Sequence, residues 1–242
     1  MHIMRQDALT SGILDGSITI NDFDTLKDIL NDEPENADLI STFADLLLQK
    51  RMTDLAWQNY RRASRLYLKN GHLLKSMMMS LAQWQIKKPS QGEIQDYFSE
   101  IAGSEAKQSK FHRFIGELSL AEKFSFLCKL RRERLPAKAV VKRVGEIEEN
   151  LWFVLSGELR ESFYELINTR NSKPWLPVRK IAEEDSFGRI YPFNEQHKSN
   201  SYVEALTQVQ LVALSKNCLR SLCMRHANIE KALIGLCGMA TR

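Results

Sequence analysis

The chain has 242 residues, 43% of them hydrophobic and 26% charged, with a formal net charge of +4, which fits an ordinary globular protein and excludes disordered or fibrous classes. That length fills one large core or two modest ones, and the mild positive excess does not mark a nucleic-acid binder, which concentrates its basic residues on one element. No apolar run approaches the roughly 20 residues that span a bilayer, and Met1 to Gly12 lacks the basic-then-apolar order of a secretion signal, so a cytoplasmic location without membrane insertion is expected.

The first half reads as helical. Asn21, Asp22 and Asp24 are candidate caps of a short helix carrying Phe23, Leu26, Ile29 and Leu30, which Pro34 stops. From Asp38, the residues Leu39, Ile40, Phe43, Ala44, Leu46 and Leu47 recur at helical spacing. Thr53 is expected to cap the next helix, with Ala56, Tyr60, Ala63 and Tyr67 on one face and Arg61, Arg65 and Lys69 as a basic line on another. A solvated face explains that line. Asn70 and Gly71 end the helix as a pair tolerant of left-handed backbone. A third helix holds Leu73, Leu74, Met77, Met78 and Leu81 until Lys87, Lys88 and Pro89 break it, and a fourth holds Ile94, Tyr97, Phe98 and Ile101. Met77, Met78 and Met79 read as core. Short joints imply antiparallel neighbours.

From Phe111 the pattern changes. Leu118, Leu120, Phe124, Leu127 and Leu130 predict one helix that runs into Arg131, Arg132, Glu133 and Arg134 and closes at Pro136. Strands are then expected over Ala139 to Val144, Leu151 to Leu155, Leu159 to Leu166, Val178 to Ile181, Ser201 to Leu206 and Gln210 to Ser215. Gly145 and Gly157 bracket the apolar run Leu151 to Leu155 and are the natural places for positive φ. After Gly157 the chain alternates, with Leu159, Glu161 and Phe163 on one face and Arg160, Ser162 and Tyr164 on the other. A terminal helix is expected from Lys216 to about Leu236, with Leu219, Leu222, Cys223, Ile229, Leu233 and Leu236 along one stripe. Many short strands without alternating helices argue for an antiparallel roll and against a doubly wound sheet. The fold class is therefore α+β: an all-α module over residues 1–110, then an antiparallel roll or jelly roll with flanking helices over residues 111–242.

Two family resemblances follow from these residues. Ala44, Ala56, Tyr60 and Ala63 match the small, small, aromatic, small positions of a tetratricopeptide repeat, and Tyr67, Gly71 and Ser76 fit a second, overlapping frame. The match covers about 65 residues. It implies a protein partner on a concave helical face, against the simpler alternative of a helical cap packed on the second domain. In the second half, P-A-x-x-V-V, G-E-x-x-E-N-L-W-F-V-L-S-G-E-L, I-A-E-E-D-S-F-G-R, and S-Y-V-E-A-L with L-V-A-L-S resemble the cyclic nucleotide-binding domain in order and register, from Phe114 to about Ile234.

That resemblance implies a pocket. The family holds the cyclic phosphate with an arginine and with backbone amides at a short helix N-terminus, and holds the ribose hydroxyl with a glutamate after the F-G pair. Here Phe187 and Gly188 match, but Arg189 stands at the glutamate position and Ser199 at the arginine position. Lys198 stands beside it, offering a point charge and not a planar fork. Two family glycines are replaced, by Glu148 and Glu184. The candidate pocket is Phe187, Gly188, Arg189, Ile190, Lys198, Ser199 and Asn200. Loss of the acceptor and of the fork would weaken cyclic AMP by several orders of magnitude. Two readings stay open: Arg189 and Lys198 clamp a cyclic mono- or dinucleotide from another side, or Arg189 pairs with Glu183, Glu184 or Asp185 while Tyr191 or Phe193 fills the pocket.

Enzymatic classes find no support. His2, His72, His112 and His226 lie outside the strands and His197 stands alone in a loop, so no metal centre is expected, and no P-loop or nucleophile motif appears. Cys128, Cys218, Cys223 and Cys237 form no C-x-x-C pair and read as buried thiols. No helix-turn-helix follows the terminal helix, so DNA is not an expected partner. The terminal helix either moves with a ligand or only covers the barrel. The sequence reads as a non-catalytic regulatory protein, without cofactor, that senses a nucleotide and passes its state to a protein partner. The alternative is a degenerate relative used only as an interaction scaffold.

Overall fold

The computed structural model describes residues 12–13, 23–103, 109–164, 174–190 and 198–237, with backbone alone at 164, 174–177 and 237. The chain forms two compact units, Met1–Gly116 and Glu117–Arg242.

The first unit is helical throughout its described residues. Its helices are α1 (Phe23–Asp32), α2 (Ala37–Gln49), α3 (Thr53–Lys69), α4 (Leu73–Ile86), α5 (Gln91–Gly103) and α6 (Lys110–Glu117). Asn36, not foreseen as a cap, starts α2 by accepting a hydrogen bond from the Leu39 amide at 3.1 Å. Thr53 is the first residue of α3 and not its cap; Met52 holds that position without a side-chain bond. Ala44, Ala56 and Ala63 are wholly buried, so α3 lies close along both α2 and α4. Tyr60 donates to Asp45 at 2.6 Å, and Met77, Met78 and Met79 are core. Arg61, Arg65 and Lys69 are exposed. Gly71 takes φ 81°, ending α3 in left-handed backbone.

The second unit opens with α7 (Leu120–Leu127), started by a capping box between Ser119 and Glu122. The expected single helix from Leu118 into the charged string is corrected here. Arg131–Leu135 is a strand, β1, which forms the edge of a sheet and pairs antiparallel from Arg131↔Ala213 to Leu135↔Val209. Polar side chains suit that position, because an edge strand has one open side. The remaining strands are β2 (Val140–Lys142), β3 (Asn150–Ser156), β4 (Leu159–Tyr164), β5 (Pro174–Ile181), β6 (Ser186–Phe187), β7 (Ser201–Ala205) and β8 (Val209–Ser215). They form two four-stranded antiparallel sheets, in the orders β1-β8-β3-β6 and β2-β7-β4-β5. With nine described helices, the architecture is α+β, helices first and a flanked roll second.

Between the sheets Val154, Leu159, Ile181, Phe187, Val203, Ala205, Val209 and Leu211 pack as one apolar cluster. Gly145 and Gly157 take φ 83° and 85°. At Gly157 a Cβ would stand 2.3 Å from the Gln208 carbonyl oxygen, so the turn admits glycine alone. The terminal helix is two helices, α8 (Lys216–Arg225) and α9 (Ala227–Cys237), separated by His226 in extended backbone. The apolar stripe lacks a member at His226, four residues after Leu222, and there the chain bends. Leu219, Leu222, Ile229, Leu233 and Leu236 are buried as expected. The cysteines differ from expectation: Cys128 is exposed at the end of α7, and Cys218 and Cys223 are half-buried at the margins of the α8 stripe. The Cys237 side chain lies outside the described residues. None of the described helices is long and apolar enough to cross a membrane.

Candidate functional site

The site is built where the turn after β2 meets the segment before β7. The Gly145 amide donates to the Ser199 carbonyl at 2.8 Å, the Ser199 amide donates to the Glu146 carbonyl at 2.8 Å, and Ile147 bridges Lys198. These bonds hold Gly145 to Glu149 against the end of the 187–200 cassette. Inside that clasp lies Glu148, which is 5% exposed. Its carboxylate meets Lys142 Nζ at 3.0 Å and accepts a hydrogen bond from the backbone amide of Arg189.

Lys142 is itself buried and stands 3.5 Å from a second carboxylate, Glu161 of β4. Glu161 is 5% exposed because the alternation after Gly157 turns it inward with Leu159. It accepts from Ser201 Oγ at 2.7 Å and lies 3.4 Å from Arg179 Nε, whose Nη2 also donates to the Ser186 carbonyl. Ser199 is fully buried; its Oγ donates to the Ser201 carbonyl and accepts from the Ser201 amide. Burial pushes the Glu148 carboxyl up, but Lys142, the Arg189 amide and Ser199 outweigh burial and hold it below the usual carboxylate range. Glu148, Glu161 and Lys142 thus form a buried ionic cluster, and Arg179, half-exposed at its margin, brings the formal charge to zero.

The cassette beside it is anchored by packing. Phe187 is buried and stacks on Trp152, with ring centroids 6.2 Å apart and planes 12° from parallel. Gly188 takes φ 99°, and a Cβ there would stand 2.5 Å from the Asn150 carbonyl oxygen. Glu184 keeps a left-handed backbone at φ 67°, a conformation that favours glycine, which is the residue type the resemblance places there.

Residues 132–226 match the model of the cyclic nucleotide-binding domain. This stretch belongs to that family. Among solved structures, the chain is similar to the catabolite activator protein of Thermus thermophilus, at 18% identity and a TM-score of 0.43, over 52% of this chain and 56% of that one. It is also similar to the sensor domain of the transcriptional regulator DNR from Pseudomonas aeruginosa, at 21% identity and a TM-score of 0.40, over 52% of this chain and 84% of that one. A third is the regulatory subunit of a cAMP-independent protein kinase A from Trypanosoma brucei, at 21% identity and a TM-score of 0.40, over 50% of this chain and 42% of that one. The chain therefore spans little more than half of the first of these and less than half of the third. No curated protein matches.

Within the cyclic nucleotide-binding domain, the expected pocket residues separate into two groups. Phe187, Ile190 and Ser199 are buried, and Gly188 is pinned against β3. Arg189 and Lys198 are exposed, and Asn200 is half-buried. The Arg189 contact with Glu148 runs through its backbone amide. Tyr191, Phe193 and His197 lie outside the described residues. Lys142, Glu161, Ser201 and Arg179 were not among the expected site residues, although an inward-facing Glu161 on an alternating strand was a visible signal. Among the described residues no group of histidine, cysteine and carboxylate side chains is arranged to hold a metal.

Proposed function

We propose that this chain is a non-catalytic regulatory protein whose cyclic nucleotide-binding domain has its anion seat filled from within, by Glu148, and so works without cyclic AMP. The observation that carries this reading is the Glu148 carboxylate, seated on the Arg189 amide and paired with buried Lys142. Backbone amides of this cassette are what the family resemblance offers to a cyclic phosphate. Here a side-chain anion takes one of them together with the nearest buried cation, and an incoming phosphate would also face Glu161. Desolvating a second anion against two carboxylates opposes binding. The helical unit, with its tetratricopeptide-like spacing, serves in this reading as the surface that engages a protein partner.

A second reading has its own observation. Arg189 and Lys198 are both exposed at the cassette, where they offer cations to a larger anionic ligand such as a cyclic dinucleotide.

Calorimetric titration of the full chain separates the two. The first reading expects no heat from cyclic AMP, cyclic GMP or cyclic dinucleotides, and expects Glu148→Gly to open a seat that takes a cyclic mononucleotide. Micromolar binding of a cyclic mononucleotide to the unaltered chain would overturn it. Binding of a dinucleotide that Arg189→Ala abolishes would establish the second reading in its place.

A further inference from the structure

We propose that the helical unit carries a site for a small zwitterion of the α-amino-acid class, in the cleft lined by α3, α4 and α5. The cleft has a volume of about 130 Å³, close to the roughly 150 Å³ cavities known to hold a benzene-sized molecule. Its walls carry opposite charge. Arg61 and Arg65 come from successive turns of α3, while Glu93, Asp96 and Glu100 come from one face of α5.

Among the described residues, no ion pair joins Arg61 or Arg65 to Glu93, Asp96 or Glu100. The Glu93 carboxylate accepts from the Ser90 amide at 2.8 Å and from the Ser90 hydroxyl at 2.9 Å. A lone anion entering would be repelled by three carboxylates, and a lone cation by two guanidinium groups. A molecule bearing both charges satisfies both walls.

An independent observation comes from the floor. Gln83 is 7% exposed and lines the cleft, yet among the described residues its side-chain amide has no hydrogen-bond partner. Its amide presents both a donor and an acceptor to the cleft. The neighbouring hydroxyls are otherwise committed: Ser64 and Ser80 share a bond of 2.7 Å, and Tyr97 bonds Ser76 at 2.9 Å. Trp84 and Tyr97, edge to face at 5.5 Å, offer an aromatic margin for a short side chain. The inference concerns the helical unit alone and is independent of the reading of the roll.

The test is titration of the full chain with the common α-amino acids, followed by calorimetry and by amide chemical shifts, with acetate and methylamine as half-ligand probes. At least one amino acid is expected to bind with a Kd of about 1 mM or tighter, and acetate and methylamine are expected not to compete. Arg65→Gln, at an exposed position, and Gln83→Met should each weaken binding about 10-fold or more. The proposal fails if no amino acid binds, if acetate or methylamine binds as well as the amino acids do, or if Arg65→Gln leaves the affinity unchanged.

Discussion

Each unit of this chain buries a polar cluster, and the two clusters are of opposite kinds. In the helical unit Ser64, Ser76, Ser80 and Tyr97 exchange bonds between neutral hydroxyls. In the roll, Lys142, Glu148 and Glu161 are ionic, with Arg179 at the margin. A neutral cluster loses little when one member is removed, because each hydroxyl can rotate to another partner. An ionic cluster is all or nothing, since deleting one charge strands its opposite in a medium that solvates it poorly. The roll is thus held in part by a buried ionic contact, and the helical unit by ordinary packing with polar insertions.

The sharpest way to break this contrast is Lys142→Met. The side chain is close in volume, so packing survives, but two buried carboxylates lose their shared cation. A loss of about 3–5 kcal/mol is expected in chemical denaturation. The double variant Lys142→Met, Glu148→Gln should recover part of that loss, because one stranded charge is gone. If the single variant costs under about 1 kcal/mol, the cluster is solvated and the contrast between the units is lost.

Glu148→Gln comes next, with an expected cost of about 2 kcal/mol at neutral pH. The amide still accepts from Arg189 but no longer pairs with Lys142. Because the native Glu148 carboxyl is held below its ordinary value, its contribution is present above the unfolded value near 4.3 and fades as pH falls through the native one. The gap between the unaltered chain and the variant should therefore close below about pH 4, in urea unfolding followed as a function of pH. A gap that stays constant into acid would mean that Glu148 stabilises by shape and not by charge.

The fold was largely legible because it rests on patterns that are local. A strand-length apolar run between Gly145 and Gly157 marked β3, and the alternation after Gly157 marked β4 with Glu161 on the face of Leu159. The family register placed Phe187 and Gly188, and it marked Glu148 and Arg189 as departures. It left unseen that those two departures touch, since they are 41 positions apart and only the folded clasp brings the Arg189 amide to the Glu148 carboxylate. Lys142 was hidden for the same reason: a lysine in a short strand reads as solvent-facing until its partners across the sheet are known. β1 was misread because Arg131 to Arg134 has no apolar period of its own, and pairing with β8 decides its conformation. The break at His226 and the half-exposed cysteines belong to the same class, in which tertiary placement overrides spacing.

The smallest expected effect comes from the neutral cluster and appears at the other end of the pH scale. Tyr97→Phe removes one hydroxyl and leaves Ser76 bonded to Ser64, so about 1 kcal/mol is expected at pH 8. Burial pushes the Tyr97 phenol up, while its serine neighbours partly oppose that shift. A raised native value means that the stability Tyr97 contributes is intact below its unfolded value near 10 and is lost as pH rises through the native one. The unaltered chain should then lose its advantage over Tyr97→Phe above about pH 10, since phenylalanine cannot ionise in either state. The half-buried Cys223 thiol, which burial pushes up to about 11, is common to both chains and cancels in the difference. An advantage that persists unchanged into alkali would show that the phenol ionises as readily in the folded helical unit as in the unfolded chain, and that the hydroxyl cluster is wet.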